Sequence, residues 1–351
     1  MVAALQSRTD ELPRKLIVRV LVFTNMYPSD AMPFYGSFVR DEADALRAAG
    51  VDVDVYFVNG RANKLNYFGM PAGFFARIRR AKYDVIHVHH SFCGLIATLQ
   101  HKIPVVWTFH EGEISGDTTD ALREQPIKHI AYSKGMKRHV AQKVDAVVVV
   151  AEHLREPLGR QDAIWLPAGI DWKRFAPMDS RDAQRQLGLS SEKRYILFPA
   201  APGRPEKRYD LARAGIDRLH ALAPNATDVE LIALDNVPHA DVPLYMNASE
   251  AVLMTSSFEA SPVTIREALA CNVPVVCTDV GDARVVTQDI VGCHIVKDDP
   301  VRIAEALLVT LSSPRRVESR ERMRLYSLET VAQTLIGLYT RVIASKGGKT
   351  P

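Results

Sequence analysis

Two glutamates, Glu259 and Glu267, stand eight residues apart in the segment Thr255-Ser256-Ser257-Phe258-Glu259-Ala260-Ser261-Pro262-Val263-Thr264-Ile265-Arg266-Glu267-Ala268-Leu269-Ala270-Cys271-Asn272. An ionised carboxylate can accept two hydrogen bonds at once, which suits the vicinal hydroxyls of a sugar or ribose ring. Ser261 is a good helix N-cap type, Pro262 suits the first helical position, and Asn272 tolerates the left-handed conformation that ends many helices. A helix begun there presents backbone N–H groups of Ser261, Val263 and Thr264, and its positive dipole end, to a diphosphate. Pro262 has no N–H and adds nothing to that set. For an arbitrary glutamate pair, a solvated helix residue and a loop charge would be the simpler account. The strand–cap–helix context favours a site.

The loop Gly203-Arg204-Pro205-Glu206-Lys207-Arg208 also lies between a strand-like and a helix-like run. Cations there can neutralise charge developing on a departing diphosphate. Lys207 is the foremost of them and Arg204 its expected partner. His110 ends the strand run Val105–Phe109, where a ring can hydrogen-bond a ligand hydroxyl. Gly36, just before a helical run at Ser37, permits close backbone approach to a ligand. His87, His89 and His90 cluster in sequence, but no carboxylate or cysteine stands at ligand spacing. They read as structural or cleft-lining, and no metal site is expected. Asp52-Val53-Asp54 puts both acids on one face of an alternating strand, a solvated pattern. Arg77, Arg79, Arg80 and Lys82, beside Phe74, Phe75 and Ile78, form a basic helix end, and Lys134, Lys137, Arg138 and Lys143 form another basic face. Ordinary solvation explains each, though anionic lipid would suit them too.

These residues need elements to hold them. Apolar, β-branched runs alternate with amphipathic stretches from end to end, the pattern of parallel sheets covered by helices. Strands are expected at 18–23, 51–58, 85–89, 105–109, 146–150 and 164–166, with helices at 37–49, 72–80, 133–143 and 152–158. Pro167-Ala168-Gly169 interrupts the series and Phe175-Ala176-Pro177-Met178 reads as a linker. Alternation then restarts, with strands at 195–198, 229–233, 251–254, 275–278 and 293–296 and helices at 210–223, 263–270 and 301–311. The division is an N-terminal domain over 1–175, a C-terminal domain over 176–325 and a tail over 326–351 whose helix starts at Leu328. In doubly wound sheets ligands bind at the carboxyl ends of the strands.

With 351 residues, 47% of them hydrophobic, the chain can fill two cores. No apolar run is long enough for a membrane span, and residues 1–13 read as a loose polar leader. Cys93, Cys271, Cys277 and Cys293 form no C-x-x-C pair, which fits free thiols in a reducing cytoplasm. A net charge of +3, with a slight basic surplus in the N-terminal half, is too mild to argue for nucleic acid.

The segment from Glu259 to Glu267 resembles the E-x7-E motif of the family 4 retaining glycosyltransferases, which have the GT-B fold. Asp84-Val85-Ile86-His87-Val88-His89 resembles that family's DVVHVH strand, and Val106-Trp107-Thr108-Phe109-His110 its VxTxH strand end. Leu166-Pro167-Ala168-Gly169-Ile170-Asp171, with Phe175 and Pro177, is similar to IPNGVDxxxFxP. The stretch 198–208 resembles the phosphate loop, and 275–281 resembles PVVxTDVG. The matches run in order over roughly residues 18–340. The sequence departs from the pattern at Ala260-Ser261-Pro262, where the family has glycines, at Asn272, where it prefers glycine, and at Gly36, which stands without a paired glycine. A shifted phosphate contact is therefore expected.

The resemblance implies two facing Rossmann-like doubly wound α/β domains with an interdomain cleft, and a last helix returning to the first domain. It implies a retaining, metal-independent transfer of sugar from a nucleotide diphosphate sugar, UDP- or GDP-linked, to an acceptor hydroxyl. The acceptor would be a sugar or lipid-linked sugar in polysaccharide or glycolipid synthesis, with no further cofactor. His110 and Glu259 would lie by the donor sugar and Glu267 on the ribose. Gly36, Arg204, Lys207, Ser261, Val263 and Thr264 would hold the donor phosphates. The protein would be cytoplasmic, in peripheral contact with the membrane at most. Two alternatives stay open: a nucleotide-sugar 2-epimerase of the same fold, and a non-catalytic nucleotide-sugar-binding protein.

Overall fold

The computed structural model describes residues 18–32, 35–110, 133–312 and 316–347. The leader 1–13 and Phe34 lie outside them. The first sheet contains β1 (Arg19–Thr24), β2 (Asp52–Phe57), β3 (Val85–Val88), β4 (Val105–Phe109), β5 (Ala146–Val149) and β6 (Ile164–Trp165). All pair in parallel, in the order β2-β1-β3-β4-β5-β6. The second contains β7 (Arg194–Phe198), β8 (Val229–Ala233), β9 (Ala251–Met254), β10 (Val275–Thr278) and β11 (His294–Val296), again parallel, in the order β11-β10-β9-β7-β8.

Side-chain alternation explains why each sheet needs helices on both faces. In β1, Leu21 and Phe23 enter one core with Phe74, Val88 and Trp107. Val20 and Val22 enter the opposite one with Val39 and Leu46 of the helix Ser37–Ala48. In β9, Val252 and Met254 pack with Ile265 and Leu269, and Ala251 and Leu253 with Ile216 and Leu307. The final helix, Leu328–Gly347, packs on the first sheet, with Val331, Leu335, Leu338 and Tyr339 buried among Val20, Val22 and Val39. The chain passes between the two units twice, and the passages are tied together. The Ile170 N–H donates to the Tyr326 carbonyl at 2.9 Å, and the Leu328 N–H donates to the Ile170 carbonyl at 2.9 Å.

Several elements differ from the sequence expectation. The second helix begins at Asn66 and carries Pro71 inside it. Proline there forgoes one N–H bond near the helix start, while Met70 and Phe74 are fully buried along its inner side. The expected helix at 152–158 is a 3-10 turn, Glu152–Leu154, followed by the short helix Arg155–Leu158. An unforeseen helix, Ser91–Ala97, is capped by His90, whose Nδ1 accepts from the Phe92 N–H at 3.2 Å.

Candidate functional site

Strands β7 and β9 lie side by side but are joined through β8, so the loops leaving their carboxyl ends part at a crevice. The two loops are bolted together. Thr255 Oγ1, just past β9, donates to the carbonyls of Lys207 (3.0 Å) and Arg208 (2.9 Å). The Ser257 N–H donates to the Glu206 carbonyl at 2.9 Å. Arg208 has a left-handed φ of 56°, which turns the chain from the 3-10 turn Pro205–Lys207 into the helix Tyr209–Leu222. The result is an ion pair between Lys207 Nζ and Glu259 Oε1, both side chains less than one-fifth exposed. Ser256 Oγ donates to the same oxygen at 2.8 Å. An ammonium has three donors, so Lys207 can hold Glu259 and still reach a phosphate oxygen. Arg204 does not join this pair. It sits at the exposed rim on Glu206, 2.6 Å away, because its own loop supplies a nearer carboxylate.

The helix after Glu259 runs from Val263 to Ala270 with Pro262 at its cap. Ser261 is not the cap: its hydroxyl points to Asp282 Oδ2 at 3.1 Å, where Arg266, buried in the same helix, also pairs. The first intrahelical bond comes from the Ile265 N–H to the Pro262 carbonyl, so the N–H groups of Val263 and Thr264 have no helical partner. A glycine is required at 281, with φ 58°, because a Cβ there would stand 2.6 Å from the Ala260 carbonyl oxygen. Ala260 itself packs against the core of the first domain, so the Glu259 loop faces that domain. At the far end Asn272 adopts φ 58° as expected.

Glu267 is held by a residue that sequence reasoning missed. His239, in the loop after β8, contacts Glu267 Oε1 through Nε2 at 3.0 Å and Arg174 Nη2 through Nδ1 at 3.2 Å. A guanidinium only donates, so Nδ1 accepts and Nε2–H donates to the carboxylate. Glu267 is thereby fixed with its second oxygen left for another donor. The signal in the sequence was the turn Asn236-Val237-Pro238-His239 at a strand's carboxyl end.

In the first domain, Val85, His87 and His89 share one face of β3 and its extension, and Val106, Thr108 and His110 share the same face of β4. His87 Nε2 meets Thr108 Oγ1 at 2.7 Å, and His89 Nδ1 meets His110 Nε2 at 2.9 Å. His87 Nδ1 meets the hydroxyl of Tyr339 at 2.7 Å, from the last helix. The expectation that no carboxylate approaches these histidines fails. Glu42, from the helix Ser37–Ala48, lies 3.4 Å from His89 Nε2 and 3.5 Å from His87 Nδ1, a pairing invisible in sequence because 45 residues or more separate them. Desolvation pushes the Glu42 carboxyl up to about 8. It lowers His87 and His110 to about 3 and carries His89 well below its usual range. Glu42, His87 and His89 are the one set among the described residues close enough to share an ion. Since Thr108 and Tyr339 occupy both nitrogens of His87, we read the cluster as a hydrogen-bonded chain.

Gly36 has φ 73°, and a Cβ there would strike the chain's own backbone at Met26, so the turn itself requires glycine. Two other expectations are corrected. Asp54 is not solvated decoration, since it takes the Tyr83 hydroxyl and Arg77, while Asp52 pairs with Arg19 at 3.0 Å. Arg77, thus engaged, also lies over the Tyr56 ring. Lys137 leaves the basic face it was assigned to and is buried, 5.6 Å from the Phe109 ring centroid.

Comparison with known proteins gives consistent matches. The family profile described as Glycosyltransferase Family 4 matches residues 14–171, and that described as Glycosyl transferases group 1 matches residues 215–329. A D-inositol 3-phosphate glycosyltransferase of Geodermatophilus obscurus is 25% identical over 74% of this chain and 66% of its own length. A candidate teichuronic acid biosynthesis glycosyltransferase of Bacillus subtilis is 27% identical over 56% of this chain and 54% of its own. The matches thus span between about half and two-thirds of these relatives. Among solved structures, sucrose-phosphate synthase from Thermosynechococcus elongatus superposes with a TM-score of 0.75 at 17% identity, covering 93% of this chain and all of that one. Anabaena HepE, solved with UDP and glucose, gives 0.66 at 14%, covering 92% and 100%. Both likenesses support the two-domain GT-B fold.

Proposed function

Given that the chain belongs to glycosyltransferase family 4, we propose that it moves a sugar from a nucleotide diphosphate sugar, UDP- or GDP-linked, to an acceptor hydroxyl with retention of configuration. The observation that carries this reading is the pairing of Lys207 with Glu259 at the β7/β9 crevice, beside the free start of the helix Val263–Ala270 and the His239-held Glu267. A diphosphate on Lys207 and the N–H groups of Val263 and Thr264 has its developing charge met by a cation and a helix dipole. Glu267 then accepts from the ribose hydroxyls. Glu259 lies by the sugar ring, where positive charge grows as the bond to phosphate breaks, and His110 from the facing domain bonds a sugar hydroxyl.

With lysine and helix serving the diphosphate, transfer needs no metal, and the leaving phosphate is the base that takes the acceptor's proton. The acceptor is a sugar or lipid-linked sugar of polysaccharide or glycolipid synthesis. The four thiols are free and three are fully buried, which suits the cytoplasm. No helix among the described residues is long and apolar enough to cross a membrane. Thermal stabilisation by a panel of UDP-, GDP- and ADP-sugars tests the reading: one nucleotide should raise the melting temperature well above the rest, and no response to any of them would remove it.

A further inference from the structure

The face of the first sheet under the helices Ser37–Ala48 and Leu328–Gly347 is apolar except for one line of polar groups that runs from the buried interior to the end of β4. Glu42 is 8% exposed, His89 1%, and His110 half-buried. Glu42 Oε1 and His89 Nε2 lie 3.4 Å apart, and both are buried atoms without a hydrogen-bond partner. The other nitrogen of His89 is 2.9 Å from His110 Nε2, and the two rings stack with 17° between their planes. His87 Nδ1 also lies 3.5 Å from Glu42 Oε1 but is engaged by the Tyr339 hydroxyl, which leaves His89 Nε2 as the nearby atom still free to bond a buried oxygen that is costly to leave unpaired.

We propose that Glu42 and His89 form a buried proton relay that sets which face of the His110 ring, proton donor or proton acceptor, is presented at the cleft. Proton positions follow from the three atoms in line. When Glu42 is protonated it donates to His89 Nε2, His89 Nδ1–H donates to His110 Nε2, and His110 keeps its proton on Nδ1. When one proton leaves from His110 Nδ1, the other two each move one place. Glu42 becomes a carboxylate accepting from His89 Nε2–H, His89 Nδ1 accepts from His110 Nε2–H, and His110 Nδ1 carries a lone pair. The proton departs at the cleft while the negative charge is stored on Glu42, which is thus a positioning residue and not a catalytic one. The titratable groups facing Glu42 are His87 and His89 from β3 and Tyr339 from the last helix, with His110 one step beyond. No lysine or arginine pairs with it among the described residues. The high carboxyl value of about 8 places the change within reach of experiment.

The relay's link to catalysis rests on the reading of His110 as a donor-sugar contact, so its test separates the two. Full-length protein labelled with 15N-histidine is titrated from pH 6 to 10, and the His110 nitrogen shifts report its tautomer without any turnover. Wild type should pass from the Nδ1–H to the Nε2–H form with one midpoint. In Glu42→Gln, whose amide N–H donates at every pH, His110 should hold the Nδ1–H form throughout. A wild-type tautomer constant over that range, or a midpoint that survives in Glu42→Gln, overturns the relay. Should the variant fail to fold, the wild-type titration alone decides. Sugar transfer followed over the same pH range tests the function separately, since the tautomer change does not depend on it.

Discussion

At the scale of single residues, the site consists of paired charges whose removal should have unequal effects. If Lys207 holds the diphosphate as proposed, Lys207→Ala should lose a charge-assisted bond worth about 1.5–3 kcal/mol, or roughly ten- to a hundredfold in turnover. It also leaves Glu259 with only the Ser256 hydroxyl, so Lys207→Ala and Glu259→Gln should not add when combined. Turnover of Lys207→Ala within twofold of wild type would dismiss the assignment. Glu259→Gln keeps the shape of the side chain and removes its charge. It should lower kcat with little change in donor KM, because the charge acts mainly in the transition state. Glu267→Ala should raise donor KM instead, and His239→Ala should follow it at smaller amplitude, since His239 only orients that carboxylate. Steady-state kinetics of the three variants decide this. If Glu267→Ala abolishes kcat at saturating donor while Glu259→Gln spares it, the two roles are reversed.

At the scale of elements, Asn272 illustrates how one residue serves two purposes. Its φ of 58° ends the helix Val263–Ala270, which glycine would do with less strain. Its side-chain Oδ1 also accepts from the N–H groups of Ser319 (3.2 Å) and Arg320 (2.9 Å), fastening the chain that leads to the last helix. Asn272→Gly should therefore destabilise by about 1 kcal/mol through the lost bonds, despite the easier backbone. A melting temperature above wild type would contradict this. The left-handed position was readable from the residue type, whereas its partners 47 and 48 residues away were not. The same divide holds across the site. Apolar, β-branched runs and the strand-to-helix loops reveal the two sheets, Lys207, Glu259 and Glu267. His239 and Glu42 stay hidden because they arrive from other elements. Ser261 looked like a cap because the helix propensities are local, and it turned elsewhere because Asp282 competes for its hydroxyl.

At the scale of the whole molecule, the buried polar line under the last helix ties pH to stability. His87 and His110 are protonated only near 3 in the folded chain, against 6.5 ordinarily, and His89 is lowered likewise. Over that interval the unfolded chain binds more protons, so stability is lost as pH falls from 6.5 towards 3. Glu42 acts in the opposite sense. Its folded value of about 8, against 4.5, makes the folded chain hold the extra proton, so stability is lost as pH rises from 4.5 to 8. Three histidines outweigh one carboxyl below 6.5, and the melting temperature should peak near that pH. Calorimetry from pH 4 to 9 should show the peak, and Glu42→Gln should flatten its alkaline side. A flat wild-type profile would refute the burial of these groups as described.

The two domains meet where Ala260 touches the first core, and the two chain crossings are tied where Ile170 bonds the segment leading into the last helix. We propose that this cleft breaks the bond between a sugar and a nucleoside diphosphate held by Lys207 and Glu267. The most direct measurement is release of nucleoside diphosphate from a panel of UDP-, GDP- and ADP-sugars, in excess chelator, by wild type and by Lys207→Ala and Glu267→Ala. Slow release from one donor by wild type, undiminished by chelator and at least tenfold lower in Lys207→Ala, is the predicted result, with Glu267→Ala approaching wild type as donor is raised. No release from any donor, release that requires added metal, or release unchanged in both variants would contradict it.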